Sequence, residues 1–117
     1  MTVKRIVANI EVANPQDAKA FYEDLFGLDV VMDHGWLITL ASGETMKTQV
    51  SFASQGGSDT EVPALSIEVD DVDAVHARAK KAGHQIVYDI VDEPWGVRRF
   101  YVRDPFGQTL NVLSHKA

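Results

Sequence analysis

The chain has 117 residues, 45% of them hydrophobic, a formal net charge of −6 and no cysteine, which allows one domain with a buried core and excludes disulfides, thiolate zinc sites and cysteine nucleophiles. An acidic chain with no basic aromatic stripe excludes nucleic acid as a partner. No apolar run approaches the roughly 20 residues that span a bilayer and none follows Lys4-Arg5 as a signal peptide would require, so no membrane partner and a cytoplasmic location are expected.

In chain order, residues 7–12 read as a strand with Ala8, Ile10 and Val12 on one face and Val7, Asn9 and Glu11 on the other. Asn14-Pro15 is a helix start, an N-cap residue followed by proline at the first helical position. Ala18, Phe21, Tyr22, Leu25 and Phe26 then give the apolar stripe of an amphipathic helix, which Gly27 ends. A β-rich run to Asp33, a turn at Asp33-His34-Gly35, and strands over Trp36–Leu40 and Thr48–Ala53 follow. In the last of these Val50 and Phe52 pack, leaving Gln49, Ser51 and Ala53 on the far face. The stretch Ser54–Pro63, with Gly56-Gly57-Ser58, reads as a joint.

The second half repeats the first. Leu65 to Val69 is a strand, Asp70-Asp71 supplies caps, and Val72, Val75, Ala79 and Ala82 form a second stripe. Lys80 and Lys81 suit the last turn, and Gly83 ends the helix. A β-rich run to Asp89 and strands over Val97–Val102 and Thr109–Leu113 complete it, with Asp104-Pro105-Phe106-Gly107 as a type I turn. Ile10-Glu11-Val12 and Ile67-Glu68-Val69 close equivalent strands, so the order β-α-β-β-β occurs twice. The expected fold class is α+β, two such modules over 1–54 and 63–117, with helices covering one face of each sheet. The other faces carry Asn9, Glu11, Gln49, Ser51, Ser66, Glu68, Asn111 and His115. Such mixed faces fit either a ligand cavity or a solvated sheet.

The stretches IEVANPQDAKAFYEDLFGL, IEVDDVDAVHARAKKAG and EPWGVRRFYVRDPFGQTLNVLSH resemble the two module signatures of the vicinal oxygen chelate superfamily, which includes glyoxalase I, bleomycin resistance proteins and extradiol dioxygenases. The resemblance spans nearly the whole chain. It implies paired modules with curled sheets around a cavity, and a homodimer. It also implies metal-ligand positions on the first and last strands of each module, which here hold Val7, Ser51, Ala64 and Asn111. Two of these cannot ligate and two are weak ligands. The expectation is therefore a metal-independent small-molecule-binding protein, with no cofactor and no resident metal.

Alternatives stay open. A relocated metal site using His34, Asp33, Glu11 or Glu68 would serve a lyase, isomerase or dioxygenase. A metal-free acid–base enzyme would use Glu11 and Glu68, whose approach would raise one pKa, or His34. The ligand-binding candidates are Asn9, Trp36, Gln49, Ser51, Ser66, Trp95, Arg98, Tyr101, Asn111 and His115. Trp36 and Trp95 offer stacking surfaces. Arg98 and Arg99 point to opposite sides of their strand, and parity alone does not say which meets a ligand.

Overall fold

The computed structural model describes residues 7–8, 10–43 and 51–116. The chain divides into two compact units between Ser54 and Gln55. In the first unit, helix α1 spans Gln16–Phe26. Pro15 already has helical dihedrals, and Asn14 Oδ1 accepts from the Gln16 N–H at 3.2 Å. This is the capping geometry expected of Asn-Pro. Gly27, at φ 67°, ends the helix in the left-handed conformation. The stripe buries Phe21, Tyr22 and Leu25, with Phe21, Tyr22 and Phe26 in mutual ring contact at 5.0–6.1 Å.

Strands β1 (Asp29–Asp33) and β2 (Ile38–Ala41) form an antiparallel hairpin with an irregularity between Val30 and Met32. The expected strand start at Trp36 is instead the hairpin turn. His34 donates to Leu37 O at 2.9 Å, and Asp33 Oδ1 accepts from the Gly35 N–H at 2.9 Å. That Asx turn uses up the residues between Asp33 and Leu37. Residues 10–12 and 51–53, expected in strands, are in none. A strand exists only through its hydrogen-bonded neighbour, and among the described residues these segments have no ladder. Asn9 and Gln49 lie outside the described residues.

The second unit is a four-stranded mixed sheet in the order β3-β6-β5-β4. Its strands are β3 (Leu65–Glu68), β4 (Ile86–Asp92), β5 (Val97–Arg103) and β6 (Thr109–His115). Strands β3 and β6 are parallel, and the other neighbours are antiparallel. Helix α2 (Val72–Lys81) covers one face. Asp71 caps it by accepting from Ala74 N–H at 3.1 Å. At its other end His84 N–H bonds to Ala79 O at 3.0 Å and Gly83 N–H to Lys80 O at 3.1 Å, the paired bonds of a Schellman stop with Gly83 at φ 80°. Arg78, Lys80 and Lys81 fill the last turn, where the helix dipole favours cations.

Alternation along β5 and β6 puts Phe100, Val102, Leu110 and Val112 under α2, where Val72, Val75 and Ala79 meet them. All seven are buried. Burying each large side chain contributes about 1.5–3 kcal/mol. The β5–β6 turn is the expected one. Gly107 N–H bonds to Asp104 O at 3.1 Å, while Asp104 Oδ1 accepts from the N–H groups of Phe106 and Gln108 at 2.9 and 2.8 Å.

The stretch expected as a joint behaves differently. Residues 55–62 belong to the second unit, and part of them straps across the sheet face opposite α2. Tyr101 Oη bonds to Gly56 O, Thr60 Oγ1 and Glu61 O at 3.3, 2.9 and 3.2 Å. Thr109 Oγ1 donates to Glu61 Oε1 at 3.0 Å. A Cβ on Gly56 would collide with Glu61 O and with the hydroxyls of Thr60 and Tyr101. Glycine is here because main chain lies directly on tyrosine, not because a flexible link is needed.

Two measurements test these packing statements. Gly56→Ala should lower stability in urea by about 1–3 kcal/mol, the usual cost of overpacking. Gly43→Ala, where nothing lies within 4 Å of the added Cβ, should stay within about 0.5 kcal/mol. The second concerns acid. Hydrogen bonding to Arg98 holds the Asp73 carboxyl below 3.8, that to Lys116 and then Arg98 does the same for Asp92, and the Ile90 N–H followed by His76 does so for Asp89. Groups with depressed folded-state pKa values add stability that is fully present above 3.8 and is lost as pH falls through those lower values. Arg98→Ala should therefore flatten the acid limb of a stability–pH profile below about pH 4 and leave its shape near neutrality unchanged.

Candidate functional site

The face of the second sheet opposite α2 collects the polar side chains that the helix-facing side excludes. Strand β5 sends Arg99, Tyr101 and Arg103 to it, β6 sends Thr109, Asn111, Leu113 and His115, and β3 sends Ser66 and Glu68. The register sets Ser66 beside Asn111 and Glu68 beside Leu113 on one flank, and Tyr101 beside Asn111 and Arg99 beside Leu113 on the other.

One end of this face is a closed network around Arg99. Its Nη2 lies 2.9 Å from Glu93 Oε2, both side chains being almost fully buried. Its Nη1 donates to Gly56 O at 2.8 Å and to Tyr101 Oη at 3.1 Å, and Nη2 donates to Gly57 O at 3.3 Å. Glu93 also accepts from Ser58 Oγ at 2.9 Å and from Tyr88 Oη at 3.0 Å. The rings of Tyr88, Trp95 and Tyr101 surround the guanidinium, with centroids 5.3, 5.0 and 5.0 Å from its carbon, a cation–π arrangement. Arg99 Nε has no partner among the described residues. A guanidinium engaged in this way holds the strap down; it is not on offer to an anionic ligand. The network also explains why Ser58 and Asp59 tolerate φ values of 50° and 59° directly after Gly57 at 84°. Such strain persists only where surrounding bonds over-determine it.

The middle of the face is buried but less fully bonded. Asn111 is 9% exposed, and its Nδ2 donates to Ser66 Oγ at 3.1 Å while its buried Oδ1 has no partner among the described residues. Turning the amide over would exchange an orphan acceptor for an orphan donor. Two residues on, Leu113 is half-buried. At the far end His115 Nδ1 lies 2.6 Å from Glu68 Oε2, both being substantially exposed. Glu68 Oε1 has no partner among the described residues.

The structure therefore brings together Ser66, Glu68, Asn111 and His115, and separately Trp95 and Tyr101 around Arg99. It sends Arg98 elsewhere. Arg98 pairs with Asp73 at 3.0 Å and Asp92 at 3.2 Å on the outer surface, and Asp92 also holds Lys116 at 2.9 Å. Arg99 is the arginine that shares a face with Asn111. In the first unit, Glu11 and Ser51 are exposed. Trp36 is 77% exposed at the hairpin tip, with its ring stacked on His34 at 6.2 Å. Asp33 spends its Oδ1 on Gly35 N–H and the Gln16 amide.

Sequence reasoning missed Glu93, Tyr88, Thr60 and the strap. Their one local signal was Glu93-Pro94-Trp95-Gly96, a tight turn that closes through Gly96 N–H to Glu93 O at 3.2 Å. The divalent-metal positions implied by the resemblance do not fit a metal. Val7 and Ala64 offer hydrocarbon, Ser51 a neutral hydroxyl, and Asn111 a neutral amide whose nitrogen is turned to Ser66. Among the described residues no group of three or more His, Asp or Glu side chains is placed to hold a metal ion. No helix among them is long and apolar enough to cross a membrane.

No curated protein matches the chain. Solved structures of the same fold do. TnmS3, an antibiotic binding protein from Streptomyces sp. CB03234, is 22% identical over 99% of this chain and 97% of that one, with a TM-score of 0.70. Lactoylglutathione lyase from Agrobacterium tumefaciens is 23% identical over 97% and 92%, with a TM-score of 0.67. TioX from Micromonospora sp. ML1 is 23% identical over 96% of each chain, with a TM-score of 0.64. At these identities the likeness is one of fold. The sequence pattern of the family itself runs over residues 4–112, and the chain belongs to the Glyoxalase/Bleomycin resistance protein/Dioxygenase superfamily.

Proposed function

We propose that the chain is a metal-independent small-molecule-binding protein whose ligand lies on the second sheet's polar face, over Ser66, Asn111 and Leu113. The observation that carries this reading is the buried Oδ1 of Asn111, which has no partner among the described residues. Leaving a buried acceptor unsatisfied costs about 1–3 kcal/mol, and a ligand donor removes that cost. The metal-independent part rests on the donor chemistry at the four positions above. TnmS3, a protein of the same fold, binds an antibiotic, which supports a binding role. A homodimer in the cytoplasm completes the proposal. The apolar side chains that β1 and the hairpin tip expose, Val31, Met32 and Trp36, suit a partner copy, and the absence of cysteine suits a reducing compartment.

The tests are direct. Calorimetric titration with Zn²⁺, Ni²⁺ and Mn²⁺ should give no tight stoichiometric binding; a tight site of one metal per chain would overturn metal independence. A library of aromatic fragments, screened by amide chemical-shift changes, should yield compounds that move Ser66, Asn111 and Leu113 together. Asn111→Ala should weaken those compounds about fivefold, the loss of one hydrogen bond, without lowering the melting temperature.

A further inference from the structure

The polar face ends in an oriented imidazole. His115 Nδ1 lies 2.6 Å from Glu68 Oε2. The sheet fixes both backbones. Glu68 pairs with Leu113 on β6, His115 pairs with Val97 on β5, and Lys116 N–H still bonds to Gly96 O at 3.0 Å beyond it. A carboxylate can only accept a hydrogen bond, so Nδ1 carries a hydrogen whether or not the ring is charged. In the neutral ring the lone pair is therefore on Nε2, which has no partner among the described residues. The His115 side chain is 62% exposed, which leaves Nε2 within reach of a ligand. An exposed pair of this kind contributes at most about 1 kcal/mol to stability. A carboxylate that fixes the tautomer and the orientation of an imidazole also prepares it to accept a proton.

We infer that His115 Nε2 is a general base, positioned by Glu68, that takes a proton from a neutral weak acid bound on the polar face. The inference rests on the binding role proposed above and adds chemistry to it. Leu113, half-buried, stands between Asn111 and His115 on β6. Val97, buried, is the β5 neighbour of His115 and shares the face of Arg99 by alternation. The two side chains give the imidazole an apolar floor. His115 is two residues from Leu113, about 7 Å along the strand, so a ligand whose apolar body lies on Leu113 brings its far end to Nε2. That end carries an activated C–H or an O–H. In the step, the Nε2 lone pair takes the proton and the bonding electron pair stays on the ligand atom. Glu68 receives no proton; its charge offsets that of the imidazolium. The proton then passes to water or returns to another atom of the ligand, so the cycle closes without an oxidant or a second substrate.

The probe is 5-nitrobenzisoxazole, a neutral aromatic carbon acid. A base removes its ring C–H proton, the N–O bond breaks, and a coloured cyanophenolate forms. With the full chain the probe should open at least about 100-fold faster than in buffer alone, the low end for a positioned general base, and faster than with equimolar free imidazole. His115→Ala should abolish this excess, and His34→Ala should leave it unchanged. Glu68→Ala should lower turnover about tenfold or more, because the other tautomer presents N–H where the lone pair is needed. The probe's affinity, read from amide shifts at Ser66, Asn111 and Leu113, should stay the same, and nitrogen NMR should show His115 losing its Nδ1–H tautomer. A pair with a structural role alone would leave turnover untouched. Rates no faster than free imidazole, or an excess that survives His115→Ala, would overturn the base. The binding role is read separately: it stands where the three amide shifts appear, with or without turnover.

Discussion

The buried pair of Arg99 and Glu93 governs how the second unit is finished on its open side. Burying two charges costs several kcal/mol per ion before their attraction and hydrogen bonds are counted. Here the offset comes from neutral groups as much as from the pair itself. Gly56 O, Gly57 O, Tyr101 Oη, Ser58 Oγ and Tyr88 Oη take up the remaining donors and acceptors, and three rings line the guanidinium. Removing either charge alone would strand the other, a loss of about 3–5 kcal/mol. The pair thus ties three separate pieces of chain, the strap, the β4–β5 turn and β5, into one rigid corner. The left-handed backbone at Ser58 and Asp59 exists because that corner holds it.

The corner has a consequence for the rest of the face. A strap that consumes Arg99 and Tyr101 withdraws the strongest cation and a large phenol from ligand contact, so the available surface moves along β6 toward Asn111, Leu113 and His115. Sequence parity gave Arg98 and Arg99 equal claim to a ligand anion. The structure leaves neither free, since Arg98 is clamped between Asp73 and Asp92.

What the sequence showed, and what it hid, divides by the range of the interactions. Caps, stripes and the Asp104-Pro105-Phe106-Gly107 turn are local, and each was legible. The side of Arg99 was also legible, though by counting and not by parity. The turn fixes Arg103 opposite Thr109, and stepping back along the hairpin sets Arg99 opposite Leu113, a residue already assigned to the far face by its alternation with Val112. The strap was illegible because its partners lie about forty residues away in sequence, as Gly56 and Tyr101 do. A Gly-Gly-Ser run has the composition of a link, and only the contact shows why glycine is required. Strand propensity places Trp36 in a strand because aromatic residues favour strands, whereas Asp33 captures the backbone first and makes the hairpin tip.

Asn111 is the residue where the levels of description meet. Its neighbours Leu110 and Val112 face the helix, so its own side chain must face the other way. In that direction register gives it Ser66 on one side and Tyr101 on the other, and Tyr101 is already committed to the strap. One hydrogen bond with Ser66 is all that remains, which leaves half of a buried amide unpaired. A valine there would match the β propensity of the strand and remove the penalty. Packing and propensity give no reason for an amide at this position. The proposed binding of a ligand donor would give one, at a position where the fold's resemblance to metal enzymes implies a ligand of another kind.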